Sequence, residues 1–124
     1  MGTLTTAGKN ALLDQIGTMG WYVAPFNGNP ASGGTELTDQ VDGNRQPLDS
    51  MAAASNSAVL TAEAFTFTAD PSGASITINY VGYFDAETDG TLMAVGTAPE
   101  RTLVGNETVT YPVGGQGFNL GDPT

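Results

Sequence analysis

The chain has 124 residues and carries three basic against thirteen acidic side chains, for a net charge of −10, with no cysteine and no histidine. That length suits one hydrophobic core, so the expectation is a single β-rich domain over residues 1–124. The acid excess disfavours nucleic acid and anionic membranes as partners, and the missing residue types remove disulfides, thiolate chemistry, histidine bases and histidine metal ligands. No apolar run approaches the roughly 20 residues of a membrane-spanning helix.

Residues Thr5–Ile16 are expected to form the one helix: Thr5 or Thr6 can cap it, Leu12, Leu13 and Ile16 share a face, and Lys9 and Asp14 point elsewhere. Gly17 is expected to end it, which makes residues 1–18 an N-terminal segment ahead of a β-sandwich over 19–124. Trp21–Phe26 has strand character, and Pro25, which lacks an N–H, points to a sheet edge. Stacked turn signals from Asn27 to Thr35 indicate a loop, followed by a short strand around Leu37–Val41. Met51–Ala54 reads equally as a helical turn or as a flat stretch.

Val59–Ala69 has the period-2 pattern of a strand, and Asp70-Pro71-Ser72-Gly73 is a turn, so this strand should neighbour the next one. That next strand is the clearest in the chain. Ile76, Ile78 and Tyr80 alternate with Ser75, Thr77 and Asn79, and the acidic turn through Asp89-Gly90 leads into a second arm from Thr91 to Thr97. Arg101–Val104 and Glu107–Val113 read as a strand pair across Gly105-Asn106, with a last strand at Gly117–Leu120. Short strands at near-regular spacing predict a mainly β fold: a single antiparallel β-sandwich or partly open barrel with one short N-terminal helix.

Few residues suggest chemistry. Asp85, Glu87 and Asp89, with Gly90, occupy positions 1, 3, 5 and 6 of a calcium-loop pattern, but Gly96 stands where the bidentate glutamate belongs, so the turn is read first as a hairpin. No phosphate-cradling glycine loop or nucleophile elbow is present, and no enzyme activity or cofactor is expected. Contact with other proteins, or with sugar rings, is expected to rest on Trp21, Tyr22 and Phe26, since aromatic anchors dominate interface energies.

Three blocks resemble a family of small phage virion proteins commonly labelled tail-fibre or minor tail proteins. They are Leu4–Gly17, the Val81-Gly82-Tyr83-Phe84 strand end with Gly90-Thr91-Leu92, and the closing Gly105–Gly115. Only Arg45-Gln46 remains of the family's aromatic-Ala-Arg-Gln loop end, and Trp21–Phe26 stands in for a strand that usually bears histidine. The resemblance implies a structural protein of the bacteriophage virion, displayed outside as a minor tail or capsid-decoration component. Its partners would be tail or major capsid subunits, with self-association left open. A host-receptor or carbohydrate-binding module is the alternative. The family brings no catalytic residues to carry over.

Overall fold

The structure is a computed structural model that describes residues 2–42, 44–49 and 51–120. Helix α1 runs Thr6–Gly17, and the Thr5 hydroxyl accepts the Gly8 N–H at 3.1 Å as its N-cap. The face that packs inward differs from the expected one. Lys9, Leu13 and Gly17 are buried with Ile16 beside them, whereas Leu12 is 46 % exposed. The i, i+4, i+8 stripe of Lys9, Leu13 and Gly17 is the one that meets the protein, and lysine tolerates this because its aliphatic stem can lie along apolar surface. Gly17 does not end the helix but belongs to it. A Cβ there would approach the Met51 Cβ at 3.2 Å, so glycine serves close packing, while the chain turns at Gly20 with φ +74°. The Trp21 indole donates to the Ile16 carbonyl at 3.2 Å, beside the Met19 N–H that the same carbonyl accepts at 3.1 Å, and so fastens the helix to the sheet.

Nine strands follow among the described residues: β1 Trp21–Asn27, β2 Thr35–Glu36, β3 Gln46–Leu48, β4 Ala58–Leu60, β5 Phe65–Thr68, β6 Ile76–Phe84, β7 Leu92–Leu103, β8 Thr108–Tyr111 and β9 Gly117–Asn119. The main sheet has the order β2-β1-β6-β7, with β3 also on β1, and every pairing is antiparallel. Two ribbons, β4-β9 and β5-β8, supply the opposing strands. The core between the layers takes Trp21 and Val23 from β1, Ile76, Ile78, Val81 and Tyr83 from β6, and Phe65, Phe67, Val109 and Tyr111 from the β5-β8 ribbon. Sheet against ribbons, with no closed cylinder of strands, is the sandwich and not the barrel.

Several expectations are corrected by this topology. β1 is interior, with β6 on one side and β2 and β3 sharing the other. Pro25 is accommodated because its carbonyl accepts the Leu37 N–H at 2.9 Å. A residue's N and O face the same side of a strand, so the missing donor falls toward the gap between β2 and β3, where no ladder bond is lost. The Leu37–Val41 stretch is not a strand; Thr38–Gln40 forms a 3-10 turn, and Leu37 and Val41 are buried at its ends. Residues 51–54 lie flat, with Met51 bridged to Thr61.

The run from Val59 to Ala69 divides into β4 and β5, which belong to different ribbons, and β5 pairs with β8 and not with β6. Arg101–Leu103 belongs to the end of β7 and pairs with β6, so Gly105-Asn106 joins two layers and does not close a hairpin. Asn106 has φ +67° there, and its N–H donates to Ala69 while Ala69 donates to Glu107. β6 also switches faces. Ile76 and Ile78 lie in the main core, but after an irregularity at Ile78/Tyr80 it is Val81 and Tyr83 that point inward, and Tyr80 packs on the opposite face.

Candidate functional site

That opposite face carries a second apolar cluster of Ala24, Phe26 and Phe84, with Tyr80 and Leu92 packed against it. Phe26 and Phe84 stack at 6.1 Å between centroids, above Gly82. A Cβ on Gly82 would lie 2.8 Å from the Phe26 ring and 3.2 Å from Phe84, so the stack requires glycine beneath it.

Arg45 sits on this cluster, 3.5 Å from the Phe84 ring centroid and only 7 % exposed. Its guanidinium grips Glu36 with a fork, Nε to Oε2 at 2.9 Å and Nη2 to Oε1 at 3.0 Å. Nη1 donates to the Ala86 carbonyl at 3.0 Å and to the Asp89 carbonyl at 2.6 Å. Arginine suits this position because its planar fork binds a carboxylate and stacks on a ring at once. One side chain thereby joins β2, the loop before β3 and the β6–β7 turn. Burial works to raise the Glu36 pKa, but hydrogen bonds from Arg45 and Thr38 and the Arg45 charge outweigh it and hold the carboxyl below its ordinary value.

The acidic turn lies beside this knot. Asp85 accepts the Thr91 N–H at 2.7 Å, Glu87 accepts the Asn44 amide at 2.9 Å, and Asp89 and Gly90 both have positive φ, as a tight hairpin turn demands. Glu36, Thr38, Asp39, Asn44, Arg45 and residues 87–89 border a cleft of about 280 Å³. Among the described residues, no three acidic side chains converge as a metal ion would need. Asp85 and Glu87 hold the Thr91 N–H and the Asn44 amide, and the Asp89 backbone carbonyl accepts from Arg45.

The aromatic trio expected to make contacts is divided by the fold. Trp21, 2 % exposed, faces the core and meets Phe118 edge-on at 5.6 Å, and Phe26, 5 % exposed, lies in the second cluster. Tyr22 is half-buried. With Met19, Pro47 and Leu48, Trp21 and Tyr22 border a depression of about 250 Å³. An opening of about 460 Å³ lies between β7 at Val95–Thr97 and the β4-β9 ribbon, and no charged residue lines it.

Arg45 is the residue whose part sequence reasoning missed. The available signal was its scarcity, as one of three basic residues among thirteen acids, but the partners it reaches are 9 to 44 positions away. Among known proteins, residues 4–117 match the family model described as Podophage GP4 fiber I protein gp80. No curated protein matches the chain.

Proposed function

Given that the chain belongs to this podophage fibre family and is part of the virion, we propose that it is a non-enzymatic structural component, displayed on the particle exterior at the tail. The observation that carries the reading is the Arg45 knot. It is built on the Arg45–Glu36 ion pair, whose carboxylate is held by Thr38 and Arg45 while its guanidinium makes four hydrogen bonds inside the protein. A general acid or base needs a proton position open to substrate; a cross-brace needs every position filled.

The charge balance supports the same reading, because a surface of net charge −10 is repelled by packaged DNA and suits the outside of a particle. The uncharged opening along β7 favours protein neighbours over ionic ligands. Partners are other virion proteins, with the tail favoured over the capsid shell by the fibre family. Gold-labelled antibody against the chain should decorate the tails of intact virions. Label confined to heads, or seen only on disrupted particles, overturns the assignment.

A further inference from the structure

We propose that Asn27-Gly28 is a site of spontaneous covalent modification, deamidation through a cyclic imide, and that the Asn79 side chain keeps it closed in the folded chain. This is the one Asn-Gly step in the sequence. Asparagine is a labile residue, and glycine after it favours the reaction, because the next backbone nitrogen must reach the side-chain carbonyl carbon and glycine has no Cβ to obstruct it. Asn29 is barred by its own neighbour, since Pro30 has no N–H to lose.

The reaction needs only water. Hydroxide takes the Gly28 N–H proton, the nitrogen attacks the Asn27 side-chain carbonyl carbon, the new N–C bond closes the imide, and the former amide nitrogen leaves as ammonia. Water then opens either carbonyl of the ring. The product is aspartate or, with the main chain rerouted through the side chain, isoaspartate; in both, a neutral amide has become a carboxylate.

Asn27 is exposed, so its carboxamide is within reach of water. What the fold withholds is the nucleophile. The Gly28 N–H donates to the Asn79 carboxamide oxygen at 2.8 Å, across 51 positions of sequence. Asn79 lies one step beyond the last β1–β6 pair, Phe26 with Tyr80, at the irregularity between Ile78 and Tyr80 where β6 changes its inward parity. That break leaves Asn79 out of register with β7, and its side chain serves Gly28 instead. The backbone is held as well: Asn27 pairs with Thr35, and a Cβ on Gly34 would strike the Gly28 carbonyl, so the two arms of the loop pack on each other. To react, Gly28 must release Asn79 and rotate toward the Asn27 side chain, which requires a local opening. The neighbouring pair is Phe26 with Glu36, the acid of the Arg45 knot, so isoaspartate at residue 27 would displace β2 and that carboxylate with it.

The purified full chain, incubated in mildly alkaline buffer and followed by peptide mass spectrometry, should keep the Asn27 amide far longer than the same chain unfolded in urea. Asn79→Ala should accelerate conversion at Asn27 about tenfold, the rate equivalent of the hydrogen bond removed from the unreacted state. Asn79→Asp retains an acceptor and should stay close to the original rate. Amide hydrogen exchange separates this effect from a general loosening: in Asn79→Ala the Gly28 amide should lose its protection while the β1–β6 ladder keeps its own. A folded chain that deamidates at Asn27 as fast as in urea, or whose Gly28 amide is unprotected, overturns the proposal without any variant. So does an Asn79→Ala chain that converts no faster than the unaltered one, or whose ladder amides exchange as readily as Gly28.

Discussion

Replacing Arg45 with alanine removes a side chain that is 7 % exposed, makes four hydrogen bonds and covers the Phe84 ring. Three groups then lose a donor: the Ala86 carbonyl, the Asp89 carbonyl and the Glu36 carboxylate, which is left with the Thr38 hydroxyl. Breaking one side of a fully buried pair costs roughly 3–5 kcal/mol. The Glu36 side chain is 29 % exposed, so water recovers part of that, and the expected loss is about 2–4 kcal/mol. Arg45→Lys keeps the charge but lacks the fork and should recover only part of the loss.

Urea unfolding followed by Trp21 is the assay, since this sole tryptophan is buried in the main core and reports global unfolding. The melting temperature should fall on the order of 10 °C. A double-mutant cycle with Glu36→Gln should give a coupling above about 0.5 kcal/mol. A cost for Arg45→Ala within about 0.5 kcal/mol, as for an ordinary surface substitution, refutes the claim that this side chain braces the loops.

The Glu36 shift carries a sign. Its pKa is depressed in the folded chain, so its contribution is present above the ordinary value of 4.5 and is lost as pH falls through the folded value; acid unfolding of Glu36→Gln should be correspondingly flatter below pH 4.5. Burial raises the Tyr83 phenol, only partly offset by the Gly117 backbone, and raises Tyr111 as well, so stability should decline above pH 10 and neither should ionise in a spectrophotometric titration before unfolding begins. Gly82→Ala should cost about 1–3 kcal/mol by wedging apart the Phe26–Phe84 stack, with denaturant midpoints as the measure and no loss as the contrary result. Leu13→Ala should cost about 2–5 kcal/mol and Leu12→Ala under about 0.5 kcal/mol; equal costs contradict the helix face described above.

Read alone, the sequence determined what short-range physics controls. The alternation of β6 at Ile76 and Ile78, the positive φ at Gly90, the threonine cap of α1 and the β-rich class all follow from neighbours within a few positions, and these are as expected. Tertiary structure decided which strands meet. β5 joins β8 and not its sequence neighbour β6, β1 lies inside the sheet despite Pro25, and β6 exchanges its inward parity at Tyr80. Each of these depends on what lies across a gap of tens of residues, and local pattern is silent on that. The same limit hid the Arg45 knot. A lone arginine becomes a brace only when folding brings Glu36, Phe84 and two turn carbonyls around it, and the energy of that arrangement resides in distances no stretch of sequence contains.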